Sequence, residues 1–213
     1  MCGRYTASAA QSVIEDYFGA EFSETHIPRY NASPGQNLPV ILDTEPRKIL
    51  SVGWGIKPSW GKEPRRLLIN ARSETVHQRP TFRQSFQKRR CLIVADGFYE
   101  WQKMKEGKQP FRIMLKTGEP FAFAGIWQEI DGQPAYVILT TEANPLMRSI
   151  HDRMPVILRR RQHEWWLDSG LPEREVLELL DPYPEDAITA YRVSRAVNSS
   201  KNQSPDLIKA QGT

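Results

Sequence analysis

Residues 91–101 read CLIVADGFYEW: an unbroken apolar run, an Asp-Gly pair, and then large aromatic residues around a single carboxylate. A short apolar run bounded by turn residues is typical of a strand that is buried on both faces, and Asp-Gly marks a turn. We therefore expect a buried strand over residues 91–95, in which Cys91 is chemically inert.

Similar short runs of β-forming residues recur along the chain, separated by Gly, Pro and Asp. They cover residues 38–42, 49–54, 111–115, 121–127 and 136–140. Apolar residues at helical spacing predict short helices over residues 8–18, 159–167 and 173–180. The whole pattern predicts an α+β fold with a mainly antiparallel core and short helices packed on its outside.

The composition fits one domain with a large core, because 39% of the 213 residues are hydrophobic. We expect a single domain over residues 1–213 with a polar tail from about residue 200. No apolar run reaches the length of a membrane span and the first residues do not resemble a signal peptide, so we expect a cytoplasmic protein without membrane contact. The 2 cysteines and 4 histidines show no disulfide framework and no metal-ligand spacing, so we expect no metal and no cofactor.

The charge distribution is compatible with an anionic partner. The formal net charge is +4, and basic groups occur at residues 65–66, 88–90 and 159–161. The chain also has 6 Trp and 7 Tyr, which could stack on unpaired bases. The alternative is that the basic runs are solvated faces and that the aromatics belong to the core.

Chemistry is suggested first by Cys2, which becomes the first residue if the initiator Met1 is removed. Cys2 then carries a free α-amine beside its thiol. With a pKa of about 7.7–8.0, roughly a quarter of such an amine is neutral near pH 7.4, against about 0.1% of a lysine. The amine can form a Schiff base with an aldehyde, and the thiol can close onto the imine carbon as a thiazolidine. The alternative is an arbitrary residue at a frayed terminus.

A second candidate is the pair Asn70 and Arg72, which follows an apolar stretch. In an extended chain both side chains lie on one face, where Asn can orient a nucleophile and Arg can bind a phosphate. The alternative is that Asn70 caps a short helix beginning near Glu74.

Two further candidates are proton carriers. Glu100 is flanked by large aromatics, which desolvate a carboxylate and raise its pKa toward the range of a general acid or base. The alternative is an exposed edge-strand Glu. Histidine is the side chain that exchanges protons near physiological pH, so His151 could move a proton to or from a ring oxygen or a Schiff base, with Asp152 or a backbone group holding its tautomer. A structural histidine is the alternative.

Several segments match known motifs in the same chain order. They are MCGR at residues 1–4, RYNASPG at 29–35, WG at 54–55, INARSET at 69–75, ADGFYEW at 95–101, IHDRMP at 150–155 and VSRAVN at 193–198. Together they resemble the SRAP family, the SOS-response-associated-peptidase domain proteins, over nearly the whole chain. The resemblance implies a barrel-like antiparallel core within the α+β fold.

The resemblance also implies a function: a sensor of abasic sites in single-stranded DNA that becomes covalently joined to the lesion and shields it from strand cleavage. By position, Cys2 is the crosslinking residue and Asn70 orients it. Glu100 is the acid/base in sugar opening and imine formation, while His151 protonates the sugar oxygen and assists reversal. Removal of Met1 by the protein itself would use the same site.

Contacts to DNA are implied by position as well. The implied DNA-binding residues are Gly3, Arg4, Pro34, Trp60, Arg72, Trp101, Thr140 and Arg153. Of these, Arg4, Arg72 and Arg153 hold phosphates, and Pro34 and Trp60 wedge against a strand junction. Gly61 follows Trp60 where some relatives carry another aromatic, so the stacking platform is smaller here. The expected partner is single-stranded DNA with abasic sites, bound by a monomer that associates with the nucleoid when the DNA is damaged.

Two other functions fit the same residues. One is a cysteine peptidase in which Cys2 attacks peptide bonds with help from His151 and Glu100, although no recognisable oxyanion loop accompanies them. The other is a non-covalent single-strand binder, which would tolerate replacement of Cys2.

Overall fold

The computed structural model describes residues 2–58 and 66–212. Its strands are β1 (Tyr5–Ala7), β2 (Glu21–Phe22), β3 (Arg29–Ala32), β4 (Asn37–Leu42), β5 (Lys48–Trp54), β6 (Asn70–Arg72), β7 (Arg90–Ala95), β8 (Gly97–Met104), β9 (Gly107–Leu115), β10 (Phe121–Ile130), β11 (Gln133–Glu142), β12 (Arg153–Pro155), β13 (Ile157–Leu158) and β14 (Ile188–Arg192). Its α-helices are α1 (Gln11–Phe18), α2 (Pro80–Lys88), α3 (Pro145–Arg148), α4 (His163–Leu167) and α5 (Glu173–Glu178).

The core of the fold is a closed five-stranded barrel. Its strands follow the order β5-β4-β7-β10-β11, and β11 returns to β5 through the parallel pairs Ala135↔Gly53 and Tyr136↔Trp54. Closure leaves the barrel with no free edge. The predicted α+β class with a barrel-like core is confirmed, but the pairing is mixed, since β6 also lies parallel to β11 and β2 lies parallel to β5.

The apolar run at residues 91–95 supplies both faces of the barrel wall, which confirms the buried strand predicted there. Cys91 and Ile93 face the core that is shared with the second sheet, whereas Leu92 and Val94 lie in the cluster covered by the helices. Because successive side chains of a strand point to opposite faces, a wall that is buried on both sides needs an unbroken apolar run. Cys91 is fully buried, and burial raises the pKa of its thiol, which agrees with the inert role expected for it.

The second layer is an antiparallel sheet of order β14-β9-β8-β1-β3. Strand β1 lies between β8 and β3, so the start of the chain is inserted into the middle of this sheet. Tyr5 of β1 packs on Trp54 and Phe123 of the barrel, and its hydroxyl is 2.8 Å from that of Tyr136. The N-terminal strand is thus held between the two layers.

The chain passes from the barrel to the second sheet at the predicted Asp-Gly turn. The Asp96 carboxylate accepts hydrogen bonds from the backbone N–H groups of Ser8 and Ala9, both at 2.6 Å, and from the Thr6 hydroxyl. It also pairs with the buried Arg112 guanidinium at 3.3 Å. One carboxylate therefore joins β1, the approach to α1 and the β7–β8 junction.

The predicted helices are present but shorter. Ser8 and Ala9 bond to Asp96, so α1 begins only at Gln11. The predicted stretch 159–167 is a 3₁₀ turn over Arg160–Gln162 followed by α4, and the stretch 173–180 is helical only over α5. In the described residues, no helix is both long and apolar enough to cross a bilayer.

The basic run 88–90 is at least partly structural. Arg90 is buried and donates to the carbonyl oxygens of Phe86 and Trp166, at the ends of two helices. The Arg89 guanidinium lies 5.2 Å from the centre of the Trp127 ring. These contacts favour a packing role for the two arginines over a role in binding an anion.

The polar segment beyond residue 200 packs against the second sheet. Gln203 exchanges hydrogen bonds with the backbone of Asn31, donating to its carbonyl oxygen at 2.9 Å and accepting from its N–H at 3.2 Å. Leu207 is buried in a small cluster with Tyr99 and Val193. The segment is thereby attached beside the N-terminal strand.

We predict that Gly97→Ala destabilises the protein by about 1–3 kcal/mol, because overpacking a filled core has a cost of this size. A Cβ at position 97 would lie 2.8–2.9 Å from the Arg112 guanidinium, which Asp96 and Tyr191 hold in place. Urea denaturation measures the change. Gly53→Ala is the control, since its added Cβ makes no contact shorter than 3.4 Å; equal stability of the two variants would contradict the prediction.

Candidate functional site

Cys2 lies directly before β1, at the interface of the two layers. It is fully buried, in the same core cluster as Tyr5 and Phe98, and its Sγ is 3.8 Å from the Arg4 carbonyl oxygen. Burial raises the pKa of the Cys2 thiol far above its ordinary value, and the charge of Glu100 raises it further. The thiol is therefore protonated at neutral pH.

Asn70 holds the Cys2 backbone. Strand β6 runs parallel to β11, and the Asn70 Nδ2 donates to the Cys2 carbonyl oxygen at 2.9 Å. Its Oδ1 is buried and has no hydrogen-bond partner among the described residues. The alternative of a helix cap is wrong, because Asn70–Arg72 is extended and residues 73–78 form turns.

Glu100 occupies β8, next to the N-terminal strand. The backbone N–H of Tyr99 donates to the Arg4 carbonyl oxygen at 2.9 Å, which places β8 beside the residues that follow Cys2. Glu100 is 3% exposed, so the alternative of an exposed edge-strand residue is wrong. Burial raises the pKa of the Glu100 carboxyl, and the charge of His151 opposes that rise.

His151 follows α3, and its Nδ1 lies close to two groups that can orient the ring. Its Nδ1 accepts from the Arg153 backbone N–H at 3.0 Å, which requires a lone pair there and places the proton of the neutral ring on Nε2. The same Nδ1 lies 2.8 Å from the Asp152 carboxylate, which suits the protonated ring. Both orienting groups considered from the sequence are therefore present.

The arginines implied as phosphate ligands differ in their surroundings. Arg4 is half-buried, and its Nη1 donates to Asn31 Oδ1 at 2.8 Å and to the Val197 carbonyl oxygen at 2.9 Å. Arg72 is exposed. Arg153 is already engaged, since both of its terminal nitrogens donate to the Glu74 carboxylate.

Other implied DNA contacts lie around this centre with differing exposure. Gly3 and Pro34 are half-buried, the latter in the turn before β4. Trp101 is half-buried and its indole N–H donates to Asn198 Oδ1 at 2.8 Å. Thr140 is fully buried, and its carbonyl oxygen accepts from Arg153. Trp60 and Gly61 lie outside the described residues.

Sequence reasoning missed Asn31, a positioning residue for Arg4. Its fully buried Nδ2 donates to the carbonyl oxygens of Val197, Ser199 and Asn202 while its Oδ1 accepts from Arg4. In the sequence, Asn31 was marked by its place in the segment RYNASPG at residues 29–35. The strand around it is otherwise ordinary in composition. The three carbonyl groups are more than 160 residues away in the chain and Arg4 is 27 residues away, so only the fold reveals these partners.

The described residues contain no group of His, Cys, Asp and Glu side chains that could hold a metal ion. The side chains that do converge are a buried thiol, an amide, a carboxyl of raised pKa and an imidazole. These side chains lie before β1, on β6, on β8 and in the loop after α3, and together they characterise the class of protein.

Comparison with known families identifies that class. The family model for the SOS response associated peptidase (SRAP) matches residues 1–200. The chain belongs to the SRAP family.

Similar proteins support the same assignment. "Abasic site processing protein YoqW" of Bacillus subtilis is 42% identical over 99% of this chain and 100% of its own length. "Abasic site processing protein YedK" of Escherichia coli is 33% identical over 98% of this chain and 99% of its own length. A crystal structure of a protein from Bordetella bronchiseptica is 31% identical, covers 91% of this chain and 100% of its own, and superposes with a TM-score of 0.79.

We predict that Glu100→Gln raises the thermal unfolding midpoint at pH 7 and leaves it unchanged below the ordinary Glu pKa of 4.5. The folded-state pKa lies above the unfolded value, so between the two the folded state retains a proton that the unfolded state has released. Stability is therefore lost as the pH rises through that window, and glutamine removes the loss.

Melting curves from pH 4 to pH 8 test this prediction. Glu129→Gln, at an exposed position of β10, is the control and is expected to follow the wild type at every pH. A Glu100→Gln midpoint that is equal to or below the wild-type value at pH 7 would contradict it.

Proposed function

We propose that this protein recognises abasic sites in single-stranded DNA and joins itself to them covalently through Cys2 once Met1 has been removed. The adduct shields the lesion from strand cleavage. The observation that carries the proposal is the position of Cys2, held by Asn70 beside a carboxyl of raised pKa. Two relatives are named abasic site processing proteins, which supports the choice of substrate.

The amine, not the thiol, makes the first attack. Burial keeps the Cys2 thiol protonated, and a neutral thiol is a poor nucleophile. A free α-amine has a pKa of about 7.7–8.0, so a useful fraction is neutral at physiological pH. Asn70 is placed to orient this amine, because its Nδ2 is fixed by the Cys2 carbonyl and its Oδ1 remains as a buried acceptor.

The chemistry balances with the loss of one water. The ring-opened abasic sugar presents an aldehyde, to which the Cys2 amine adds; the resulting carbinolamine loses water to form an imine. The thiol then adds across the C=N bond, with sulfur bonding to carbon and its proton moving to nitrogen, which gives a thiazolidine. The ring removes the imine that would otherwise promote β-elimination and strand breakage.

Glu100 and His151 move the protons in this sequence. A carboxyl of raised pKa can donate a proton to the departing hydroxyl and take one from the attacking amine. His151 protonates the sugar oxygen as the hemiacetal opens, and Asp152 and the Arg153 N–H serve its charged and neutral forms. The same groups assist reversal.

Single-stranded DNA is the proposed partner because a single strand presents the lesion without base flipping. Arg4 is fixed through Nη1 while its Nη2 makes no hydrogen bond among the described residues and could take a phosphate, and Arg72 is exposed beside Asn70. The proposed further contacts to DNA are Gly3, Pro34, Trp101 and the segment with Trp60. Thr140 acts through Arg153, which donates a hydrogen bond to its carbonyl oxygen. We propose that a monomer binds and that association with the nucleoid follows from the damaged DNA.

Peptidase activity is proposed only for removal of Met1 by the same site. A general cysteine peptidase must bring a peptide bond of another protein to the thiol, but Cys2 is fully buried, whereas the Met1–Cys2 bond adjoins the thiol in the sequence. The family description therefore fits self-processing better than cleavage of other proteins. The lyase-like part of the proposed activity is the Schiff-base step.

We expect Cys2→Ala with a free amino terminus to lose the heat-stable adduct with a single strand bearing one abasic site, since no thiol can close the ring. Borohydride should still trap its imine, because the amine remains. Mass spectrometry of wild-type and variant mixtures gives both readouts, and the wild-type adduct should weigh one water less than protein plus DNA.

N-terminally acetylated protein is the matched control, because it keeps the thiol and loses the amine; it should give neither product. An undiminished heat-stable complex from Cys2→Ala or from acetylated protein would refute the mechanism. A fluorogenic peptide screen of the same samples tests the peptidase alternative.

Glu100→Gln should slow adduct formation by about 10²-fold, the usual contribution of a general acid or base. Its affinity for an intact single strand should stay near that of the wild type, because Glu100 is buried and a phosphate at the surface is not expected to reach it. Quenched time courses and fluorescence anisotropy separate the two quantities. Equal losses of rate and affinity would contradict the catalytic role.

A further inference from the structure

The Arg153 guanidinium is occupied within the protein itself. Its Nη1 donates to Glu74 Oε1, and its Nη2 donates to Glu74 Oε2 at 2.9 Å and to the Thr140 carbonyl oxygen at 2.6 Å. The Arg153 side chain is 14% exposed and that of Glu74 is 42% exposed. The carboxylate therefore covers the outward-facing edge of the guanidinium.

Glu74 reaches this position because of the strand pairing around β11. Strands β6 and β12 lie on either side of β11, with Arg72 and Pro155 both in register with Thr140. The turn after β6 carries Glu74 over the start of β12, where Arg153 stands. The hydrogen bonds from Arg153 lower the pKa of the Glu74 carboxyl, so it is charged at neutral pH.

A carboxylate and a phosphate compete for the same fork of a guanidinium, because each offers two oxygens at the spacing of its two N–H donors. We propose that Glu74 is an internal competitor for the phosphate of single-stranded DNA at Arg153, which the strand must displace in order to bind. This inference rests on the proposed function, and it assigns Glu74 a part in setting affinity.

Displacement of the Glu74 carboxylate by a phosphate is physically feasible. Glu74 is exposed enough to be rehydrated once it leaves Arg153, while the Thr140 carbonyl oxygen still holds the guanidinium in place. The ion pair is partly exposed on its Glu74 side, and ion pairs that water can reach contribute little stability, so a phosphate can displace the carboxylate. The result is weaker binding to intact single strands, which outnumber lesions, whereas the covalent step retains the protein at an abasic site.

Fluorescence anisotropy with an intact single-stranded oligonucleotide tests the inference. We expect Glu74→Gln to bind about two- to fivefold more tightly than the wild type, the factor that corresponds to loss of an ion pair open to water on one side. Glu142→Gln is the matched control: Glu142 is exposed and is the strand partner of Arg153, but it forms no ion pair with it among the described residues. It removes the same charge without freeing the guanidinium, so its affinity should change less.

The effect must also depend on Arg153. In an Arg153→Gln background, adding Glu74→Gln should change the affinity no more than adding Glu142→Gln does. Thermal melts of each variant verify folding.

Equal tightening by Glu74→Gln and Glu142→Gln overturns the inference, since net charge alone would then explain it. Weaker binding by folded Glu74→Gln also overturns it, because Glu74 would then support Arg153 in binding DNA. Wild-type protein that binds the intact strand but gives no adduct with an abasic strand refutes the proposed function separately, and absence of strand binding refutes both.

Discussion

The Asp96 carboxylate is the constraint on which the site depends. It lies where the chain leaves the barrel for the second sheet, and it accepts two backbone N–H groups and the Thr6 hydroxyl while it faces Arg112. A buried charge is tolerated only when its partners are complete, so these bonds place the N-terminal strand in one position. Without these bonds the segment that carries Cys2 would be free to move.

With β1 fixed between β8 and β3, the rest of the site follows from strand pairing. Strand β8 brings Glu100 beside Cys2, and β6 brings Asn70 to the Cys2 carbonyl oxygen. Burial raises the pKa of both the Cys2 thiol and the Glu100 carboxyl. The same burial weakens the fold, since a carboxyl that resists ionisation opposes stability at neutral pH.

Around this centre, polar contacts within the protein hold two arginines in different ways. Arg4 is held by Asn31 and Val197 through one nitrogen, and Arg153 is held by Glu74 through two. Among the described residues no carboxylate pairs with the Arg4 guanidinium, whereas a carboxylate covers both terminal nitrogens of Arg153. Arginines that look equivalent in sequence therefore differ in how readily each could bind a phosphate.

The sequence by itself determined the strands of the barrel, the helices α1, α4 and α5 and the side chains with chemical potential, because apolar periodicity and residue chemistry are local properties. It did not predict α2 or α3. It left open whether Asn70 was extended or a cap and whether Glu100 was buried, since both depend on neighbours far along the chain. Only the tertiary structure decided the parallel closure of β5 on β11, the hold of Asn31 on Arg4 and the pairing of Glu74 with Arg153. These contacts join segments that are 27 to more than 80 residues apart, and no local pattern encodes which distant partner a polar side chain will meet.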